Sequence, residues 1–314
     1  MKSYKGFDKN LKCRDFQYEI GKEYEMDGEI KMCSRGFHAC ESPFEVFDHY
    51  SMIGSRFCEV EQDGNISKAD RGTKICSSKI KIKSELKLAN MIYLGVEWLK
   101  EITSPEKIKT NIKDNSSGYG AQIGSSGNGA KIGASGDDAK IGASGDDAKI
   151  GSSGDDAKIG SSGNGAKIGA SGNCAQIGAS GNYAQIGASG NYAQIGASGN
   201  YAQIGSSGDD AQIGSSGDDA KIGASGNYAK IGASGNYAKI DSTGEGCVIM
   251  CAGIGSIAKA SKGSWITLSE WSYSEGKQRY IPICVKTEFV DGEKIKADTY
   301  YSLKGGVFVE WIND

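Results

Sequence analysis

A nine-residue internal repeat constrains this chain more than any other feature. Its consensus is S-G-[ND]-x-A-[KQ]-I-G-[AS], and it runs without insertion through residues 117–242, which makes 14 copies. Three looser copies follow in residues 243–269. A fixed short period is typical of a solenoid, in which each repeat packs on its neighbours, and degenerate last copies are the expected ends of such a stack.

Each repeat divides into a strand and a turn. In A-[KQ]-I-G-[AS], small or apolar residues alternate with polar residues or glycine, which is the period of a strand with one buried face. The alanine, the isoleucine and the final alanine or serine are expected to point inward, and the lysine or glutamine and the glycine outward. The remaining S-G-[ND]-x favours a turn, because Gly, Asn and Asp tolerate positive φ.

The number of repeats in one coil decides the geometry of the core. Two nine-residue repeats give an 18-residue coil with two facing strands, and three give a 27-residue triangular coil. Alanine and isoleucine fill the thin gap between two sheets better than a wide triangular lumen, so the sequence favours two. The predicted fold is mostly β, a nonapeptide-repeat β-solenoid over residues 117–269.

The residues before the repeats have a different composition. Residues 1–116 are rich in cysteine and aromatic residues, with strand-like runs at Phe57–Glu61 and Lys79–Lys83. A helix is predicted over Glu85–Ile102 from its apolar spacing, and a shorter one from Ser42 to Tyr50 because Ser-Pro is a helix-start pair. These features predict a small α+β module.

The residues after the repeats read as strands. Residues 270–314 contain three strand-like runs with Asp-Gly and Gly-Gly turns between them, which predicts a β cap on the solenoid. The runs are Ile281–Glu288, Tyr300–Leu303 and Val307–Ile312.

Composition and charge exclude several classes of protein. No apolar run approaches 18 residues, so no membrane partner is expected. The charged N-terminus lacks the apolar core of a signal peptide, and nine cysteines without an export signal suggest a reducing compartment, here a bacterial cytosol. The net charge of −3 weakens the case for direct nucleic-acid binding.

Several motifs outside the repeats carry a resemblance to a known family. They are Tyr4–Phe7, Leu11–Cys13 and the GFHAC run Gly36–Cys40 near the N-terminus, with Gly263–Ile266 and the DGEKIKADTYY run Asp291–Tyr301 near the C-terminus. Together they resemble an uncharacterised family of phages, prophages and bacteria, in which an N-terminal GFHAC-type module and a C-terminal cap flank short tandem repeats. The resemblance implies no activity, but it implies a mobile-element origin.

Metal and catalytic chemistry are the next candidates. Cys13, Cys33, His38 and Cys40 include thiol and imidazole ligands but lack the spacing of paired zinc knuckles, so buried free thiols are favoured over a zinc site. Arg35, His38 and Cys40 could form a nucleophile–base site only if the side chains meet, which spacing does not show. The repeat also departs from calcium-binding glycine-rich nonapeptides. No cofactor and no catalytic residue is therefore predicted.

Stacked repeats place identical positions in rows on the surface. The third and fourth positions carry acidic and tyrosine side chains, and the sixth carries lysine or glutamine. These rows form either a solvated face that keeps the chain soluble and monomeric, or a binding surface with acidic and aromatic stripes. The candidate binding residues are Asp137, Asp138, Asp146, Asp147, Asp155, Asp156, Asp209, Asp210, Asp218, Asp219, Tyr183, Tyr192, Tyr201, Tyr228, Tyr237, Lys140, Lys149 and Lys158.

The sequence thus favours a non-enzymatic, protein-binding solenoid. The expected role is a phage- or prophage-encoded inhibitor, of the anti-CRISPR kind, that blocks the nucleic-acid-binding surface of an RNA-guided or other host defence nuclease. Spaced carboxylates can occupy a basic channel by imitating phosphates. Two alternatives stay open: an enzyme or small-ligand binder in the N-terminal module with the solenoid as spacer, and a structural spacer that self-associates. The oligomeric state is open too.

Overall fold

The computed structural model describes residues 1–50, 55–69, 73–103 and 118–312. The chain forms two compact units, Met1–Trp98 and Leu99–Ile312. Across the described ranges, no helix combines the length and the apolar character needed to cross a membrane.

The first unit is built on short and long antiparallel strands. They are β1 (Lys2–Phe7), β2 (Lys12–Cys13), β3 (Phe16–Gln17), β4 (Glu23–Glu25), β5 (Phe37–Cys40), β6 (Arg56–Lys68) and β7 (Lys74–Leu86). β2 and β3 form a hairpin, and the other five form a sheet in the order β4-β7-β5-β1-β6. Because β6 also pairs with β7, this sheet closes on itself around an apolar core.

Two helices lie in the described part of the chain before the repeats. A 3-10 helix covers Phe44–Asp48, where a short helix was predicted, and α1 covers Leu88–Thr103. The predicted start of α1 at Glu85 is wrong by three residues. Glu85 still belongs to β7, where it pairs with Cys58, and its carboxylate binds Arg56 at 2.6 Å.

The second unit contains sixteen four-residue strands in two parallel sheets. The first sheet holds β8 (Gln122–Ser125), β10 (Lys140–Ala143), β12 (Lys158–Ser161), β14 (Gln176–Ala179), β16 (Gln194–Ala197), β18 (Gln212–Ser215), β20 (Lys230–Ala233) and β22 (Val248–Cys251). The second sheet holds β9 (Lys131–Ala134), β11 (Lys149–Ser152), β13 (Lys167–Ala170), β15 (Gln185–Ala188), β17 (Gln203–Ser206), β19 (Lys221–Ala224), β21 (Lys239–Ser242) and β23 (Ile257–Ala260).

Strand register shows how the repeats stack. Each strand pairs in register with the strand two repeats away, as when Ile141 pairs with Ile123 on one side and Ile159 on the other. Consecutive repeats therefore alternate between the two sheets, and two repeats make one 18-residue coil. The predicted β-solenoid with two repeats per coil is confirmed, with eight such coils of paired strands.

The core lies between the two sheets and is made of isoleucine and alanine. Ile150, Ile168 and Ala184 are fully buried, and each buried isoleucine contributes about 1.5–3 kcal/mol. On the outer face of the first sheet the sixth and eighth positions are exposed, as the alternation predicts. The second sheet differs, because its eighth positions are buried, and its sixth positions are buried at Gln185 and Gln203 and half-buried at lysines such as Lys149.

Glycine at the second repeat position permits the coils to stack closely. A Cβ placed on Gly190 would overlap the carbonyl oxygen of Gly172, one coil earlier. The same overlap recurs along the stack, for example between Gly199 and Gly181. This position therefore excludes every residue that has a side chain.

Four strands close the C-terminal end of the solenoid. They are β24 (Trp265–Ser274), β25 (Arg279–Phe289), β26 (Tyr301–Lys304) and β27 (Val307–Glu310). β24 extends the first sheet and pairs antiparallel with β25, whereas β26 joins the second sheet and pairs with β27. The predicted cap is confirmed, and the last degenerate repeat, residues 261–269, contributes the first half of the long strand β24 rather than another four-residue strand.

A buried ion pair ties this cap to the last coils. Asp241 stands at a position where the earlier repeats have glycine, and it is buried in the second sheet. Its carboxylate lies 3.0 Å from Lys259 Nζ, one coil on, and accepts a hydrogen bond from Tyr300 Oη at 3.3 Å. Asp241, which departs from the repeat consensus, thus lies where the C-terminal segment packs on the solenoid.

Candidate functional site

The third repeat position forms a ladder of side-chain to backbone hydrogen bonds. Asp146 Oδ1 accepts the backbone N–H of Asn164 at 2.7 Å, and Asn182 Oδ1 accepts that of Asn200 at 2.8 Å. Asp and Asn are equivalent in this role, because both present an oxygen at the same place. Five candidate binding residues therefore have a structural role that does not depend on their charge: Asp137, Asp146, Asp155, Asp209 and Asp218.

The fourth repeat position has a left-handed backbone. The Asp, Cys and Tyr residues there have φ between 55° and 60°, a conformation that costs a non-glycine residue about 1–3 kcal/mol. Their backbone N–H groups bond to the next coil, as when Tyr183 N–H donates to the Asn200 carbonyl at 2.9 Å. Glycine occupies the same position at Gly120, Gly129 and Gly165, so the fold does not need a side chain there.

Because consecutive repeats lie in different sheets, their fourth-position side chains lie on two opposite edges of the coil. On each edge an aspartate lies between two tyrosines. Tyr183 and Tyr201 lie in successive coils of one edge, and their rings stack with centroids 5.0 Å apart and an interplanar angle of 6°. The structure thus places the predicted fourth-position side chains in two rows. The first edge carries Asp138, Asp156, Cys174, Tyr192, Asp210 and Tyr228, and the second carries Asp147, Gly165, Tyr183, Tyr201, Asp219 and Tyr237.

These side chains differ in exposure along the edges. The five tyrosines have 47–59% of their surface exposed. Asp147 and Asp156 are exposed. Asp138, which accepts a hydrogen bond from Tyr119, is half-buried, as are Asp210 and Asp219, each between two tyrosines. Each edge therefore has a carboxylate-bearing segment towards the N-terminal coils and a tyrosine-rich segment further along.

The three candidate lysines do not form one row. Lys140 and Lys158 pair in register on the exposed outer face of the first sheet. Lys149 lies in the second sheet and is half-buried. Only the first two could contact a partner that lies on the first sheet.

The candidate residues for catalysis in the first unit are arranged unfavourably for that chemistry. His38 Nε2 accepts the Cys33 backbone N–H at 2.9 Å. Burial, reinforced by nearby cations, lowers the pKa of His38 to about 4. Burial raises the pKa of the Cys40 thiol to about 12, so a thiolate is disfavoured at neutral pH. The Arg35 guanidinium donates to the Asp27 carbonyl at 2.6 Å.

The geometry also gives no support to the zinc alternative. Cys13, Cys33 and Cys40 are free thiols. Within the described ranges, no three His, Cys, Asp or Glu side chains converge in a way that could hold a metal ion.

Sequence reasoning missed a cleft of about 1080 Å³ in the first unit. Its floor contains Lys5, which is only 4% exposed. Lys5 Nζ donates to the His38 carbonyl at 2.9 Å and to Cys13 Sγ at 3.5 Å. The signal in the sequence was a lysine between Tyr4 and Phe7 in an otherwise apolar strand, where a charged side chain is expected to be buried.

Comparisons with known proteins bear on the first unit alone. Residues 1–94 match the model of a family described as a domain of unknown function (DUF7666). Neither the curated proteins nor the solved structures include a match to this chain. The N-terminal motifs Tyr4–Phe7 and Gly36–Cys40 lie inside the matched range, and the repeats and the C-terminal motifs lie outside it. The first unit is thus similar to a domain whose function is unknown.

Proposed function

We propose that the solenoid is a non-enzymatic, protein-binding element and that the fourth-position side chains form its contact surface. The supporting observation is the left-handed backbone at this position, where tyrosine is costly, aspartate is tolerated and glycine is unstrained. Stacking of Tyr183 on Tyr201 offsets about 0.5–1.5 kcal/mol of that cost. Carboxylates in a row repel one another instead. Side chains that the fold does not require are best explained by recognition.

The proposed partner is a host nuclease that binds nucleic acid through a basic surface. On the first edge, Asp137, Asp138, Asp155 and Asp156 place four carboxylates in two successive coils, with strand spacing of about 4.8 Å. A protein channel lined by Lys and Arg would attract this segment as it attracts phosphates. The tyrosine-rich segment beyond it supplies aromatic contact area, which is common in protein interfaces.

The biological role that fits this surface is inhibition of a defence nuclease by a phage- or prophage-encoded protein acting in the bacterial cytosol. The chain would occupy the nuclease's nucleic-acid surface directly and would not itself bind nucleic acid. The net charge of −3 is small, so the electrostatic attraction would be local to the acidic segment.

Affinity capture of the tagged full chain from bacterial lysate, with and without nuclease digestion, identifies the partner, which is then purified. The triple variant Asp138→Asn, Asp155→Asn, Asp156→Asn, with all three changes on the first edge, is expected to bind this nuclease about tenfold or more weakly and with a flatter salt dependence. Asn keeps the left-handed backbone favourable, so folding is preserved.

The matched control changes the net charge by the same amount elsewhere. Glu29, Glu275 and Glu293 are exposed and lie outside the solenoid edges, so their replacement by Gln is expected to leave affinity unchanged. Equal affinity of the Asp triple variant and the wild type, or capture of partners that are not nucleases, would contradict the proposal.

A further inference from the structure

Lys5 in the first unit is a buried cation without an acidic partner. Its side chain is almost inaccessible to solvent, and its ammonium donates to the His38 carbonyl and the Cys13 thiol. The ammonium also lies 5.3–5.9 Å from the ring centroids of Phe7, Tyr18 and Tyr50, which supply no negative charge. Within the described ranges, no ion pair joins Lys5 to a carboxylate. Burial lowers the pKa of Lys5. A buried ammonium without a counter-charge is unfavourable, so an anion supplied from outside would stabilise it.

The cleft above Lys5 carries further positive charge. Lys5, Arg14 and Lys74 line it, and all three act on His38, where they reinforce the effect of burial on its pKa. Their positive potentials therefore converge at one place.

The acidic residues of the cleft compensate that potential only in part. Glu23 and Glu25 lie 2.8 and 3.6 Å from Lys79 Nζ, which offsets one of their two charges. Asp15 and Asp48 are exposed at the rim, where solvent screens their charge.

One wall of the cleft is aromatic. Phe16 has 47% of its surface exposed and meets Tyr18 and Tyr24 edge-on, with ring centroids 4.7 and 5.3 Å apart. Its neighbours hold Phe16 in place. An exposed, supported ring beside a charged cleft is a surface on which a planar ligand can stack.

We propose that this cleft binds a small ligand that combines an anionic group with an aromatic ring, of the mononucleotide class. The anionic group contacts the Lys5 ammonium at the floor, with Arg14 and Lys74 at its sides, and the ring packs on Phe16. This site is independent of the solenoid surface, and neither proposal requires the other.

Calorimetric titration of the full chain tests the site with three probes: adenosine monophosphate, inorganic phosphate and adenosine. Adenosine monophosphate is expected to bind more tightly than either fragment. Lys5→Met removes the charge and keeps a long side chain, and it is expected to weaken this binding roughly 30-fold or more. Lys9→Met, at an exposed residue outside the cleft, is the control and should bind as the wild type does.

A second variant and a stability measurement separate recognition from folding. Phe16→Ala is expected to weaken adenosine monophosphate and leave phosphate binding unchanged. Lys5→Met is expected to melt no lower than the wild type, because it removes a buried charge. No binding of adenosine monophosphate, equal binding by Lys5→Met, or a clear fall in its melting temperature would overturn the proposal.

Discussion

Two glycines of a single repeat, Gly190 and Gly196, have opposite surroundings. The position of a Cβ on Gly190 is filled by the backbone of Gly172, whereas a Cβ on Gly196 would meet no atom within 4 Å. At the residue scale, close packing of the coils therefore requires glycine at the second repeat position. At the eighth position, glycine leaves the outer face of the first sheet without side chains.

Alanine substitutions distinguish these two roles. Gly190→Ala is expected to lower the free energy of unfolding by about 1–3 kcal/mol or more, because the coils must separate to admit the methyl group. Gly196→Ala is the matched control and is expected to be neutral or to stabilise by up to about 1 kcal/mol, since alanine restricts the unfolded chain. Urea unfolding measures both. Equal losses would show that stacking distance does not depend on the second-position glycine.

At the scale of elements, the pairing of Asp241 with Lys259 joins β21 to β23 beneath Tyr300. The carboxylate is buried, and burial raises the pKa of Asp241 despite the nearby ammonium. The pair therefore contributes mainly by avoiding an unpaired charge. Its place at the last coils makes it a link between the repeats and the cap.

Removal of one partner is expected to cost more than removal of both. Asp241→Asn leaves the Lys259 ammonium without its carboxylate and is expected to destabilise the chain by about 3 kcal/mol. Adding Lys259→Met should recover part of that loss, because the remaining groups are neutral. Thermal and urea unfolding of the wild type, both single variants and the double variant give the coupling energy. Additive losses would contradict the role assigned to the pair.

For the whole molecule, the unit of construction is the coil and not the repeat. Adjacent repeats lie in different sheets, and the outer faces of these sheets are unlike. Gly178 and Gly196 are exposed on the first, whereas Gly187 and Gly205 are buried on the second. An insertion or deletion keeps every later strand in its own sheet only when it adds or removes an even number of repeats.

Deletions of different length test this. Removal of residues 171–188, one coil, is expected to leave a folded chain whose urea m-value falls in proportion to the surface lost. Removal of residues 171–179, one repeat, would join strands with a buried outer face to strands with an exposed one. We expect that variant to melt at a lower temperature than the 18-residue deletion, although it loses fewer residues. Equal melting temperatures would show that the sheets are interchangeable.

The parts of the fold that sequence could predict are those fixed by neighbouring residues. The alternation of apolar and polar residues around each isoleucine predicted which side chains point into the core. The small combined volume of alanine and isoleucine predicted two strands per coil. The burial of Gln185 depends on atoms distant in sequence, so the pattern of its own repeat could not reveal it. The cleft was missed for the same reason, since Lys5, Phe16 and Lys74 meet only after the first unit's sheet closes.

The candidate surface shows the same limit. The sequence marked Asp137 and Asp138 as equivalent members of an acidic pair. Their backbones give them different tasks, because one oxygen of Asp137 is used by the next coil and the side chain of Asp138 leaves a left-handed residue. Only the hydrogen bonds separate the structural row from the row available for recognition.

The 18-residue coil also has a consequence for inheritance. Nearly identical repeats are encoded by nearly identical stretches of DNA, and such stretches misalign during replication and recombination. A slip of eighteen codons adds or removes a whole coil and leaves every later side chain on its own sheet and edge. A slip of nine codons keeps the reading frame but exchanges the two edges downstream. Among descendants of this gene, we therefore expect the length of the solenoid to vary by even numbers of repeats. Each such change moves the acidic and tyrosine-rich segments apart or together by one coil.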